Sequence, residues 1–317
     1  MSGYVRVVPA PADHDRVDSL PSFTTHVDEQ GRTFEYAVVR HPGSTGLVVH
    51  CSAFFGRWGN ARAYREQFQG YFHRLKMLGS YPRHDWLFLC DPYGARENGT
   101  YYTGQKGDLF VERAMTQIVD RMLEEGPFGP QETVTVGSSM GATGALVLAL
   151  KFGMRGAVAI TPHVDLDMAA RHCGRFDEVA WACADGDPFS VESEQVTHRV
   201  RTLLGGYGPA HPPPRLFVQA CADDHGVYEE QVLPLVDTWT ALGGTVDLDV
   251  RPTGGHTSDF ATRPLLLDAI DRILEGDPID VAAYQSSPIF AGRVTPTPVS
   301  HRIMRTVVRA RRLVLGR

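Results

Sequence analysis

Residues 137–141 read Gly137-Ser138-Ser139-Met140-Gly141, a G-x-S-x-G spacing set between the β-branched run Thr133 to Val136 and the Ala/Leu-rich run Ala142 to Phe152. In that setting the chain turns sharply from strand to helix and lifts the central serine Oγ above the strand end. The flanking positions must lack bulk, because the backbone folds back on itself there. The following helix N-terminus adds positive potential where an oxyanion would form. A serine hydroxyl is a weak nucleophile at neutral pH; it needs a base, and the base needs a carboxylate to orient it. Downstream, the strand-like run Leu216 to Cys221 leads into Ala222-Asp223-Asp224-His225. The next, Val246 to Val250, leads into Arg251-Pro252-Thr253-Gly254-Gly255-His256. The chain order is therefore serine, acid, histidine, each at a strand end. We expect Ser139 as nucleophile, His256 as base and Asp223 as the orienting acid. Asp224 is the alternative acid, since strand register decides between them, and His225 is the competing base.

An oxyanion also needs donors. One is expected from the backbone N–H of Met140. The second is expected from His50-Cys51-Ser52-Ala53-Phe54 after the run Gly46 to Cys51, with Ser52 preferred and Ala53 beside it. The loop Asp91 to Lys106 also follows a strand-like run, Trp86 to Cys90, and so faces the same edge. It carries Tyr93, Arg96, Tyr101 and Tyr102 among three glycines. These four are candidate substrate-binding residues: tyrosines for sugar or acyl contact, the arginine for a carboxylate or phosphate. A plain Gly-rich surface loop is the competing reading.

The elements that must position these groups alternate. Strand-like runs at residues 34–40, 46–51, 86–90, 133–136, 157–160, 216–221 and 246–250 are interleaved with helical periodicity at residues 108–125, 142–152, 228–242 and 264–274. Apolar strands alternating with helices predict an α/β fold: a mainly parallel, doubly wound sheet covered on both faces. His41-Pro42-Gly43-Ser44 between the first two runs suggests a hairpin. We divide the chain into an N-terminal extension (1–33), a main domain (34–276) and a basic C-terminal tail (277–317). Within the domain the pattern breaks at residues 161–214, read as a cap-like insertion over the strand ends. His163, Asp165 and Asp167 there could hold a metal, but a solvated loop and helix start is the favoured reading, and no metal or organic cofactor is expected.

With these residues in place, the chain resembles the α/β-hydrolase fold superfamily over about residues 34–275, through Gly137-Ser138-Ser139-Met140-Gly141, Asp223 and His256. More narrowly, it is similar to a bacterial group that includes capsule-biosynthesis and accessory-secretion proteins. The carrying segments are residues 137–145, Asp91-Pro92-Tyr93-Gly94 with Asn98-Gly99-Thr100-Tyr101-Tyr102, and His256-Thr257-Ser258. The resemblance implies action on acyl, often acetyl, groups of glycans. Cys51 departs from the common pattern, in which a glycine follows the histidine of that strand.

Composition narrows the classes. Among 317 residues, 43% are hydrophobic and the formal net charge is −6. That apolar content is sufficient for a packed core and excludes general disorder. An acidic chain argues against a nucleic-acid partner. No apolar run approaches the roughly 18 residues of a membrane span, and Met1 to Asp18 lacks the pattern of a signal peptide. Five widely spaced cysteines without a C-x-x-C pair read as reduced thiols, which fits the cytoplasm. Residues 293–317 hold seven arginines and no acid, which leaves the rest of the chain at −13 (−6 less +7). Ile303, Met304, Val307, Val308, Val314 and Leu315 share one helical face, opposite Arg302, Arg305, Arg309 and Arg312. This tail could pack on its own acidic body, lie on an anionic membrane surface or dock on an acidic partner. The expected function is a serine hydrolase or acyltransferase acting on an ester, thioester or acylated glycan through an acyl-enzyme. The alternative is a non-catalytic binding protein of the same fold in surface glycan assembly or export.

Overall fold

The computed structural model of the chain describes residues 21–53, 72 and 74–292. Its strands are β1 (Ser22–Val27), β2 (Thr33–Val39), β3 (Leu47–Cys51), β4 (Asp85–Leu89), β5 (Thr133–Ser138), β6 (Gly156–Ile160), β7 (Arg215–Cys221) and β8 (Val246–Arg251). They form one sheet in the order β1-β2-β4-β3-β5-β6-β7-β8. Every pairing from β4 across to β8 is parallel, while β1–β2 and β2–β4 are antiparallel. The expected mainly parallel α/β sheet is what the chain forms.

Central strands are buried along their whole length because helices cover both faces. On one side, α2 (Phe110–Glu125) and α3 (Met140–Phe152) pack Val111, Met115, Leu146 and Leu150 against Val49, Leu87 and Ala157. On the other, α1 (Leu75–Leu78) and α9 (Arg263–Glu275) pack Leu75, Leu78, Leu266 and Ile270 against Val48, Phe88, Val136 and Ile160. Among the described residues, no helix is long and apolar enough to cross a membrane.

Two expectations change. The predicted hairpin between residues 34–40 and 46–51 does not form, since β4 lies between β2 and β3. A strand as apolar as β3 is stabilised by parallel neighbours on each side. The hairpin forms instead between β1 and β2, where the Asp28 carboxylate accepts the N–H groups of Gln30 and Arg32. The sheet consequently begins at Ser22, inside the stretch expected to be an N-terminal extension. Residues 1–20 and the basic residues 293–317 lie outside the described residues; α10 (Val281–Ser286) lies within the expected tail region.

Between β7 and β8 lies α8 (Leu233–Ala241). The segment between β6 and β7 holds α4 (Leu166–His172), α5 (Phe176–Ala182), α6 (Glu194–Thr197) and α7 (Arg199–Leu204). The metal reading finds no support there. Asp165 accepts from Nε and Nη2 of Arg201 (2.6 and 2.5 Å) and Asp167 faces His198 at 3.3 Å; no group of metal-ligand residues occurs among the described residues. The segment is tied to the body through Glu112, buried in the first turn of α2. Its carboxylate accepts two bonds of 2.7 Å from Arg199 and one of 2.9 Å from Lys151 of α3. Burial pushes this carboxyl up, but the two cations outweigh it and hold it below its ordinary value of 4.5.

That network predicts a pH-dependent contribution to stability. A depressed carboxyl stabilises the fold above its unfolded value and loses that contribution as pH falls through its folded value. Glu112→Gln should lower Tm by about 5–10 °C at pH 7, given roughly 3 kcal/mol for breaking a buried ion pair. The gap from wild type should close as pH drops below 4.5. A gap unchanged between pH 7 and pH 3.5 in thermal denaturation would contradict this account.

Candidate active site

The site begins with a backbone contact. Ser139 stands between β5 and α3 with φ 53° and ψ −120°, a conformation rarely adopted by L-residues. The chain reverses so tightly that a Cβ at Gly137 would lie 2.0 Å from the Gly141 carbonyl oxygen, and one at Gly141 would lie 2.3 Å from the Cys51 oxygen. The G-x-S-x-G spacing is thus the imprint of two glycines that touch other backbone. Ser139 N–H donates to the Ile160 carbonyl at 2.8 Å, fixing the turn to β6.

From this turn the Ser139 hydroxyl lies 2.8 Å from Nε2 of His256. Nδ1 of His256 lies 2.9 Å from Oδ2 of Asp224. The network requires the tautomer in which Nδ1 carries the proton, so the serine donates to Nε2 and Nδ1–H donates to the carboxylate. Three groups from the ends of β5, β7 and β8 are therefore joined at one sheet edge.

The acid at the imidazole is Asp224 rather than the expected Asp223. After β7 the chain makes a turn in which Asp224 N–H donates to the Cys221 carbonyl at 3.0 Å. Asp224 then opens a helical turn, its carbonyl accepting from Val227 and Tyr228. This turn swings Asp224 to the ring. Asp223 instead accepts the N–H groups of Gly254 (3.2 Å) and Gly255 (2.7 Å), and so holds the loop that presents His256. His225 is exposed and turns away to Glu229 at 3.1 Å.

Met140, the first residue of α3, has an N–H with no partner inside its helix and lies where the expectation puts an oxyanion donor. Ser52 is placed differently from expectation: its N–H donates to the Leu89 carbonyl at 3.0 Å. The parallel ladder thus continues one residue beyond β3 and engages that donor. Ala53 N–H has no acceptor among the described residues. Its peptide is held from the far side, where the Tyr102 hydroxyl donates to the Ser52 carbonyl at 3.0 Å.

The candidate substrate-binding tyrosines are structural in placement. Tyr102 is buried, and its hydroxyl, 3.0 Å from the Ser52 carbonyl, shares its one proton with the Leu89 carbonyl at 3.3 Å. Tyr101 is buried with its ring edge-on to His163 at 5.7 Å. Tyr93 packs against Phe34 and Phe110 and donates to the Thr33 carbonyl at 3.1 Å. The Arg96 side chain lies outside what the structure describes. The loop folds around Asp91, a fully buried carboxylate that accepts from the N–H groups of Tyr93, Thr100 and Tyr102 and from the Thr100 hydroxyl. Burial raises its pKa against the opposing effect of those bonds. Tyr101 and Tyr102, at φ 59° and 61°, are held by this network in the left-handed region.

No disulfide joins the five cysteines among the described residues. Burial pushes the Cys221 thiol up to about 12 and the Cys51 thiol higher still, so neither offers a thiolate near neutral pH.

No family model and no curated protein sequence matches the chain. Solved structures do. The capsule O-acetyltransferase of Neisseria meningitidis serogroup A superposes with a TM-score of 0.56 at 15% identity, over 78% of this chain and 94% of that one. The acetyl xylan esterase from Paenibacillus sp. R4 gives 0.55 at 14%, over 87% and 88%. The Staphylococcus aureus fluorophosphonate-binding serine hydrolase F gives 0.54 at 12%, over 81% and 99%. The sheet order, the Ser139 turn and these likenesses agree: the chain has the α/β-hydrolase fold.

Proposed function

We propose that the chain is a serine acyltransferase or hydrolase that works through an acyl-enzyme on Ser139. The observation that carries this reading is the joined array of Ser139, His256 and Asp224, with separations of 2.8 and 2.9 Å, built on a strained turn. His256 Nε2 accepts the hydroxyl proton as Oγ attacks an acyl carbonyl, and Asp224 stabilises the imidazolium that forms. The oxyanion lies between the N–H groups of Met140 and Ala53, each aimed donor contributing roughly 3 kcal/mol to the transition state. Collapse of the tetrahedral intermediate breaks the bond to the leaving group, which takes the proton from His256. In the second half, His256 removes a proton from an incoming hydroxyl or water, which attacks the acyl-serine and regenerates Ser139.

Ester or thioester donors, with a glycan hydroxyl as acceptor and water as its competitor, are the substrate class we assign. Support comes from the similarity to the capsule O-acetyltransferase, one of whose structures holds CoA, and to an acetyl xylan esterase. Residues 161–214 act as the cap over the strand ends in this reading. Five cysteines without a disulfide suit a reducing compartment such as the cytoplasm.

A fluorophosphonate probe should label wild-type protein at Ser139, located by peptide mapping, and should label neither Ser139→Ala nor His256→Ala. An unlabelled, well-folded wild type would favour a non-catalytic binding role. Turnover of short acyl esters should fall about 10⁴-fold in Asp224→Asn, by analogy with other triads. In Asp223→Asn it should fall only about tenfold, since that acid holds loop backbone. The opposite ranking would overturn the assignment of the acid.

A further inference from the structure

We propose that His163 is a positioning residue for the base, a flat platform against which the His256 ring is held in line between Ser139 and Asp224. This rests on the catalytic reading of the triad, but the geometry that carries it is separate. The ring of His163 stacks on that of His256 with centroids 4.8 Å apart and planes 24° from parallel. Such a spacing is that of a favourable offset stack.

His163 is completely buried, and neither ring nitrogen has a hydrogen-bond partner among the described residues. A neutral imidazole always carries one N–H, and leaving it unmet in the interior is costly. What the side chain contributes at this position is therefore its face. Burial first, then the neighbouring His256 and Arg175, hold its pKa well below the ordinary 6.5, so the platform carries no charge at neutral pH.

The platform is fixed by rigid parts of the fold. Thr143 in the first turn of α3 donates its hydroxyl to the His163 carbonyl at 2.5 Å. The next two N–H groups, of Val164 and Asp165, both donate to Oε1 of Gln231. Two residues earlier, Thr161 sits at φ 44°, unusual for a β-branched residue, with its N–H donating to the Gln219 carbonyl at 2.7 Å. Tyr101 braces the ring from its edge. His256, by contrast, stands on an irregular loop and keeps 24% of its side chain exposed. A base on such a loop gains most from an external brace, because small misplacements of a catalytic group reduce rate about 10²-fold.

The test separates a flat ring from mere bulk, using the full chain with His163→Phe and His163→Leu. Two readouts are taken: the rate of fluorophosphonate labelling of Ser139, and the downfield proton NMR signal of the His256 Nδ1–H bound to Asp224. The phenylalanine variant should label within threefold of wild type and keep a sharp downfield signal. The leucine variant, of similar volume but without a flat face, should label about 10–100-fold more slowly, with that signal broadened or lost and Tm within a few degrees of the phenylalanine variant. Leucine and phenylalanine variants that behave alike in both readouts would overturn the proposal. If wild type does not label, the catalytic reading falls, while the NMR comparison still decides whether His163 holds the His256 ring.

Discussion

The contact of Gly137 with Gly141, backbone on backbone, is the constraint from which the site follows. Because no Cβ intervenes, β5 can reverse into α3 within a few residues, and Ser139 is left at the apex in a conformation it would not choose alone. The strain, of order 1–3 kcal/mol, is offset by α3, whose apolar residues are buried from Met140 to Leu150, and by the bond from Ser139 N–H to β6. The same approach seats Gly141 on the Cys51 carbonyl and so brings the β3 end beside the helix N-terminus. Ser139 and the N–H groups of Met140 and Ala53 are thus located by a single close packing of main chain.

Around that point the molecule distributes its burdens unevenly. Asp223 and Asp224 are adjacent in sequence yet one holds loop backbone and the other an imidazole. Asp91 organises a whole loop by accepting four bonds, and through Tyr102 it reaches the Ser52–Ala53 peptide. Rigidity is concentrated beneath the reacting atoms, in buried groups that never need to meet a substrate.

Much of this was legible in the sequence where a feature is local. The glycine spacing announces the turn, since only bulkless residues fit it, and alternating apolar runs announce a covered parallel sheet. The imidazole that meets Ser139 was legible because His256 stands in the short Gly-rich loop after β8. Its carboxylate partner was not: whether residue 223 or 224 faces the ring depends on the turn from Cys221 to Asp224, which no periodicity records. Ser52 was misplaced because the ladder extends one residue past β3, a matter of register with Leu89. The tyrosines looked like contact residues because composition cannot distinguish a loop that faces solvent from one folded around a buried carboxylate. The β2–β3 hairpin was misread because strand adjacency in sequence does not ensure adjacency in the sheet.

One architectural detail bears on how such a molecule diversifies. β6 and β7 are parallel neighbours, so the helices between them form a detour that leaves and rejoins the sheet at adjacent positions. A cassette exchanged between Asp165 and Arg215 would disturb no rung of the ladder, while forfeiting the Arg199 and Arg201 ties, the bonds from the Lys106 and Gly107 N–H groups to the Trp181 and Ala182 carbonyls, and the buried contacts of Leu166, Val179 and Leu204. His163, just upstream of that splice point, stays with the sheet. The helical segment and the sheet edge that bears Ser139 are in this sense separable inheritances, the first free to be rewritten while the second is kept.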